Sequence, residues 1–493
     1  MGTGLTKLYT AEQVRRLDSL AIGEAGIEGF ELMSRAARAV FERSNAAFPD
    51  SRHWLVLCGA GNNAGDGYLV ACNAKKAGLQ AQVLWLTEPE KLHGDAARAA
   101  AQWKTSGGES FAWDERGRMG ECDLLLDGLL GTGLDRPLEG DYRAAVEWMN
   151  TQDCSRVAID IPTGLHADTG NVLGAATLAD MTVTFIGRKR GQFTADGPDH
   201  CGQLIFDSLD VPQKILNSVD NSGILIGEKF IRENLPPRRR NSNKGQYGHI
   251  LVCGGGPGMG GAVRLAGEAA LRSGAGLVSV ATDGQHAMTV WSGCPELMVS
   301  AVSENTHLQS LAEKASVIAV GPGLGESQWS QDMLAACMAT GLPLVVDADG
   351  LNLLAANPCR RDNWVLTPHP GEAARLLGTD TSQIQRDRVT AACEIAEKFN
   401  AVVVLKGCGT VVAQAGGPYS ICPLGNAGMA TAGAGDVLTG VVAGLWGQGL
   451  NAMTAAQLGV AVHAAAGDEA MRRRGQMSML AGDISRQLHR VLA

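Results

Sequence analysis

Residues 425–440 read Gly-Asn-Ala-Gly-Met-Ala-Thr-Ala-Gly-Ala-Gly-Asp-Val-Leu-Thr-Gly, a glycine-rich turn that runs into an apolar helix. A backbone that bends sharply and then offers consecutive amides needs few Cβ atoms in the way, and the helix dipole adds positive potential at that point. Ala432, Gly433, Ala434 and Gly435 can together form an anion hole, with Asp436 directly after them. Phosphoryl transfer to a hydroxyl divides its labour in this way: fixed donors stabilise the charge on the phosphoryl oxygens while a carboxylate takes the proton. The plainer alternative is that Asp436 is an ordinary acidic residue in a first helical turn.

Upstream of this stretch lie short apolar runs, each closed by glycine or a polar turn: Ile250 to Cys253, Val317 to Val320, Leu344 to Val346 and Val402 to Leu405. The first half has the same rhythm at Trp54 to Cys58, Leu124 to Leu126 and Val157 to Ile159. Such runs alternating with helical patterns predict parallel strands joined by crossover helices, with ligands gathered at the carboxyl ends of the strands. Thr10-Ala-Glu-Gln13 carries the residues of a capping box, and Val14, Leu17 and Ala21 continue it as an apolar helical stripe. The rhythm lapses between about Val211 and Lys244, through Pro236-Pro237-Arg238-Arg239-Arg240. We therefore expect two α/β domains, residues 1–215 and 244–493, with 216–243 as linker and start of the second. At 493 residues the chain exceeds what one core usually supports.

Three strand ends of the first half carry chemistry. Gly59-Ala-Gly-Asn-Asn-Ala-Gly-Asp-Gly67 adds Asn62, Asn63 and Asp66 to a glycine turn, beyond what a turn requires. The others are Asp127-Gly-Leu-Leu-Gly-Thr-Gly-Leu-Asp-Arg-Pro137 and Asp160-Ile-Pro-Thr-Gly164. Carboxylates converging on one sheet edge must be solvated, paired or bound to a cation. Oxygen ligation of a cation is one reading; local capping by Asp127 and Asp160 is the other.

Composition sets limits on partners. A net charge of -9 disfavours a polyanion such as nucleic acid, and the basic triplet at 238–240 reads as solvated linker. The 12 cysteines contain no C-x-x-C pair, so reduced thiols in a cytoplasm are expected. No segment has the ~18 unbroken apolar residues of a membrane span, and no secretory signal opens the chain. Met1-Gly2-x-x-x-Thr6 matches an acylation acceptor only formally, since the pattern is short.

Together the three stretches of the first half resemble the NAD(P)H-hydrate epimerase family, whose pattern is N-N-G-G-D-G, D-G-x-x-G-T-G and D-x-P-[ST]-G. The resemblance implies a Rossmann-like three-layer α/β/α domain in which Asn62, Asn63, Ala64, Gly65 and Asp66, with Gly131, Thr132, Gly133, Leu134, Asp135, Arg136 and Pro137, hold a hydrated dinucleotide. It further implies that Asp160 acts at the modified ring as acid or base, and that Asn63, Asp127 and Thr163 ligate potassium. Ala64 stands where the family has glycine; were its φ positive, the loop would carry strain of roughly 1 kcal/mol.

The second half is similar to the ADP-dependent NAD(P)H-hydrate dehydratase family, through Lys244-Gly-Gln-Tyr-Gly248, Gly258 to Ala262, Gly321-Pro-Gly-Leu-Gly325, Asp347-Ala-Asp-Gly-Leu-Asn352, Leu366-Thr-Pro-His-Pro-Gly-Glu372, Lys406-Gly-x-Gly-Thr410 and the Asp436 loop. This implies a ribokinase-like α/β domain. By the resemblance, Ala262, Gly323, His369 and Asp436 contact the hydrated dinucleotide, while Lys406, Gly407, Cys408, Gly409, Thr410 and Gly435 hold ADP, the phosphoryl donor, with magnesium. The substrates would be the hydrates NADHX and NADPHX, and a homo-oligomer is expected for an enzyme of this type. Read from residues alone, His369 could equally be a loop histidine and Lys406 a surface lysine. A vitamin or sugar kinase with an accessory domain would share the Asp436 loop. A noncatalytic dinucleotide binder would have little use for both Asp160 and Asp436.

Overall fold

The computed structural model describes residues 6–303 and 305–493; the acylation match at Gly2 lies outside the described residues. The chain divides into two compact units, Lys7–Gly223 and Ile224–Ala493. The expected connection at 216–243 is structured in part, with a strand at Gly223–Leu225 and a helix at Glu228–Asn234.

The first unit holds β1 (Thr6–Tyr9), β2 (His53–Cys58), β3 (Gln80–Trp85), β4 (Glu109–Ala112), β5 (Leu124–Gly128), β6 (Ser155–Ile159), β7 (Met181–Phe185), β8 (Arg188–Lys189) and β9 (Gln203–Asp207). Seven of these form one sheet in the order β4-β3-β2-β5-β6-β7-β9, parallel throughout. Alternation sets its two faces. Trp54, Val56 and Cys58 of β2 enter one apolar cluster with Leu124 and Leu126, while Leu55 and Leu57 enter the opposite one with Leu125. A parallel sheet buried on both faces needs such continuous apolar strands. Chain order reverses between β2 and β5, so the crevice at their carboxyl ends is a topological switch point, where α/β sheets place ligands.

The second unit contains β10 (Gly223–Leu225, across the boundary), β11 (His249–Cys253), β12 (Leu277–Thr282), β13 (Met298–Ala301), β14 (Val317–Val320), β15 (Leu344–Val346), β16 (Trp364–Leu366), β17 (Val402–Leu405), β18 (Thr410–Gln414) and β19 (Tyr419–Cys422). Its sheet runs β13-β12-β11-β14-β15-β16-β17-β18-β19, parallel as far as β17 and antiparallel beyond. Here the reversal falls between β11 and β14. The helix Ala434–Trp446 is buried along nearly its whole length and packs against Gly260–Arg272 and Ala452–Arg474. Gly440 permits this closeness: a Cβ there would stand 2.0 Å from the Ala266 carbonyl oxygen. The buried helix thus anchors the glycine-rich turn before it, whose own residues stay partly exposed.

Candidate active sites

In the first unit a cavity of about 1380 Å³ opens at the β2/β5 switch point. Its walls include Asn62, Asn63 and Asp66 after β2, the run Gly131 to Pro137 after β5, and Asp160 after β6. Ala64 and Gly65 do not line it. The helix begins at Asn62 itself, capped by Gly61 with φ +82°, so the motif forms a helical turn rather than a loop. Asn62, Asn63 and Asp66 share one face at spacings of three and four, and Ala64 and Gly65 turn inward. Ala64 is fully buried and is not among the residues of positive φ, so the strain expected of it does not arise. Gly65 lies against Met33, whose Sδ would be 2.7 Å from an added Cβ.

Asp160 occupies the left-handed region, φ +67°, which an aspartate tolerates better than most residues. Its Oδ1 accepts from Thr184 Oγ1 and from the Phe185 amide, each at 3.1 Å, and from Lys189 Nζ. Lys189 is wholly buried and also donates to Thr184 Oγ1 at 2.9 Å. Two further carboxyls face this pair. Asp18, on the helix Ala11–Gly23, is pushed up to about 6 by burial, with Lys189 opposing and Asp160 adding to the rise. Asp66 is raised well above the ordinary range by burial, then by Asp160 and Asp18. Burial and like charge thus favour the protonated forms of Asp18 and Asp66 beside the Asp160–Lys189 pair. Neither Asp18 nor Lys189 was identified from sequence. Asp18 sits at the edge of the stripe Val14, Leu17, Ala21, and Lys189 sits in the basic run Arg188-Lys-Arg190, which read alone suggests surface.

Beneath the cavity, Asp127 is completely buried. It accepts from Thr163 Oγ1 at 2.7 Å, the Thr163 amide at 2.8 Å and the Leu129 amide at 3.2 Å. Burial nevertheless pushes its carboxyl upward, because no cation among the described residues offsets it. Thr163 Oγ1 also lies 3.2 Å from the Leu130 carbonyl oxygen. The Asp127 carboxylate, Thr163 Oγ1 and the Leu130 carbonyl set oxygens around a single negative charge, a set that fits a hard cation of low charge; the side-chain nitrogen of Asn63, buried without a partner, is an N–H donor and no ligand.

In the second unit the strand ends of β15, β16 and β17 meet the start of the helix Ala434–Trp446. Asp347 is buried; its Oδ1 accepts from Lys406 Nζ at 2.7 Å and its Oδ2 from Thr439 Oγ1 at 2.7 Å. Lys406 also approaches Glu372 Oε2 at 3.7 Å. Burial works against the charge of Lys406, but Asp347 and Glu372 outweigh it and hold the ammonium above its ordinary value. A Cβ on Gly435 would come within 3.3 Å of Lys406 Nζ, which places the ammonium directly under the glycine turn. Asp436 is pushed up to about 7, first by burial and then by Asp347, with Lys406 opposing. His463 packs behind the turn against Ala434, and burial takes it down to about 4, so it stays neutral.

His369 caps the helix Pro370–Leu377: its Nδ1 accepts from the Gly371 and Glu372 amides at 2.9 and 3.3 Å. Nε2 therefore carries the proton in the neutral ring, 3.3 Å from Glu372 Oε1. Half of this side chain remains exposed, toward a ligand or solvent. Ala262 and Gly323 meet at the β11/β14 switch point, where a Cβ on Gly323 would lie 3.0 Å from that of Ala262. Gly407, Cys408 and Gly409 form the turn from β17 to β18; Thr410 Oγ1 closes it by donating to the Gly407 carbonyl at 3.0 Å. Buried Arg388 supports this turn from below through the Leu405 and Lys406 carbonyls.

The two units answer to two families. The family model for NAD(P)H-hydrate dehydratase matches residues 250–490, and that for YjeF-related protein N-terminus matches 29–191. A bifunctional NAD(P)H-hydrate repair enzyme of Coxiella burnetii is 42% identical over 97% of this chain and 98% of its own length. The chain belongs to the bifunctional NAD(P)H-hydrate repair enzyme family. The corresponding Escherichia coli enzyme is likewise 42% identical, over 98% of this chain and 94% of its own. The Bacillus subtilis ADP/ATP-dependent NAD(P)H-hydrate dehydratase, co-crystallised with ATP and magnesium, superimposes with a TM-score of 0.50 at 31% identity. It covers 54% of this chain and 96% of that one. A ribokinase-like superfamily protein of Enterococcus faecalis gives 0.51 at 28%, covering 54% and 94%. Membership accounts for both halves: a Rossmann-like first unit and a ribokinase-like second unit.

Proposed function

We propose that this chain repairs hydrated NADH and NADPH, its first unit interconverting the R and S epimers and its second dehydrating the S epimer with ADP to give NAD(P)H, AMP and phosphate. The observation that carries this reading is Asp436, a carboxyl pushed up to about 7 at the mouth of the glycine-rich helix start. Such a group can take a hydroxyl proton near neutrality, while the amides of 432–435 and Lys406 receive phosphoryl charge. Hydroxide leaves poorly from the hydrate ring. Once that hydroxyl is phosphorylated, phosphate departs readily and the ring nitrogen drives elimination. Ala262, Gly323 and His369 would hold the dinucleotide, and 406–410 with Gly435 the nucleotide. Magnesium, bound mainly through the nucleotide's own phosphates, would neutralise them, which suits a site whose described residues contain no cluster of three protein ligands.

In the first unit, the walls Asn62, Asn63, Asp66 and 131–137 would bind the dinucleotide, and Asp160 would exchange a proton with the hydrate ring. Lys189 would hold Asp160 in place, and Asp18 and Asp66 would store the proton between exchanges. Asn63, Asp127 and Thr163 would hold potassium, whose charge would fix the loops of 127–137 and 160–164 at the cavity floor. Thr163→Val should raise the potassium concentration needed for half-maximal thermal stabilisation, read by melting in potassium against a large organic cation.

The test is recovery of dihydronicotinamide absorbance from mixed hydrate epimers with ADP. Full recovery by the natural chain is expected. No ADP-dependent recovery, together with phosphorylation of a vitamin or sugar alcohol, would instead establish the kinase reading.

A further inference from the structure

Away from both sites, Cys122 and Cys154 stand just ahead of β5 and β6, with their Sγ atoms 3.4 Å apart. The strands pair in parallel with Leu124 beside Ser155, a register that continued outward would set Asp123, not Cys122, opposite Cys154. Both cysteines lie in irregular backbone before their strands, and it is there that the two sulfurs are brought together. Closing the gap to an S–S bond of roughly 2.05 Å asks the sulfurs to move by little more than an ångström.

Both residues are half-buried, whereas most other cysteines are fully buried and Cys359 and Cys408 are exposed. Cys154 also lines a shallow hollow of about 540 Å³ together with Asp123, Asp153, Arg156 and Asp180. Arg156 is fixed over it: its Nη1 donates to the Gln152 and Cys154 carbonyls at 2.9 and 3.4 Å, and its Nε to the Leu178 carbonyl at 2.7 Å. The thiol of Cys154 is held below its ordinary value, first by the Cys122 S–H and, against burial, by Arg156, with Asp180 and Asp153 opposing. Cys122 shifts in the other direction, chiefly through that same S–H contact and burial. Cys154 lines the hollow beside Arg156 and Cys122 does not, so a small molecule entering there meets the Cys154 sulfur first, with Cys122 behind it.

We propose that Cys122 and Cys154 form a dithiol site that takes low-molecular-weight disulfides and closes into an intramolecular disulfide. The Cys154 thiolate attacks one sulfur of the small disulfide, whose S–S bond breaks as one small thiolate leaves. Cys122, having lost its proton to solvent, then attacks Cys154 Sγ and expels the second small thiolate. Two electrons pass from the protein to the small disulfide, which ends as two small thiols, and an excess of small thiol reverses both steps. The bond would tie the starts of β5 and β6, at the sheet edge opposite Asp127 and Asp160.

The test exposes the full chain to oxidised glutathione, blocks remaining thiols by alkylation, and maps peptides by mass spectrometry. A cross-linked pair containing Cys122 and Cys154, two hydrogens lighter than the free peptides and lost on reduction, is expected. Cys122→Ser should stop at a glutathione adduct on Cys154, and Cys154→Ser should leave Cys122 without one under the same exposure. Alkylation of both cysteines in the natural chain, while Cys359 and Cys408 carry glutathione, would overturn the proposal. An adduct on Cys122 in Cys154→Ser as abundant as that on Cys154 in Cys122→Ser would overturn the order of attack.

Discussion

Asp160 and Asp436 both close a parallel-sheet crevice, yet their neighbours set them up differently. Asp160 shares its Oδ1 with buried Lys189, while Asp436 faces Asp347 and Glu372 with a single lysine among them. For Asp436 the folded value, about 7, lies above the ordinary 3.8, so ionisation disfavours the fold. Stability attached to this group is present below about pH 4 and is lost as pH rises toward 7. Asp436→Asn should therefore melt higher than the natural chain near pH 8, by about 2 kcal/mol once solvent screening is allowed for, with the gain vanishing near pH 4. The same change should lower dehydration roughly 10²- to 10⁴-fold and remove the rise in rate through pH 7. An unaltered pH–rate profile in the variant would take the base role away from Asp436. Lys189→Met leaves Asp160 without its ammonium and should cost about 3 kcal/mol in urea unfolding. Epimerisation, followed by separating the two hydrates, should fall with it, and Lys189→Arg should restore stability more fully than turnover. Asp18→Asn should remove an epimerase pH dependence centred near 6 while leaving dehydration unchanged.

Ala64 is decided at the scale of an element. A glycine-rich stretch after a strand reads as a loop, and an alanine in a glycine position then reads as strain. The helical spacing of Asn62, Asn63 and Asp66 was present in the same residues and indicates a helix already under way at Asn62. Inside a buried helix, Ala64→Gly should destabilise the chain by about 1 kcal/mol and give no gain in epimerase affinity, measured by melting and by the Michaelis constant. A gain in affinity would restore the strained-loop reading. The capping box at Thr10, the parallel strands and the switch points were legible because period, turn residues and caps are local signals. Lys189 was not, because its burial depends on Asp160 and Thr184 arriving from other strands. Lys406 was half legible. Its position at a strand end could be read, but its ion pair with Asp347 joins residues 59 apart.

At the scale of the whole chain, each unit has its own apolar core, one assembled from residues of the first 223 and one from Ile226 onward. A substitution in one site should therefore leave the other site's chemistry intact, since the packing that supports each is separate. With mixed epimers and limiting time, Asp160→Asn in the full chain should convert the S hydrate at the natural rate and leave the R hydrate unconverted. Recovery of dihydronicotinamide then stops at the S share. Asp436→Asn should do the opposite, returning no dihydronicotinamide while pure S hydrate still equilibrates with R. Mixing the two variants in equal amounts should restore full recovery, because a small-molecule intermediate can leave one chain and enter another. If the mixture instead stops at the S share, the R hydrate is not reaching an intact first site in solution, and the assignment of epimerisation to the Asp160 cavity fails.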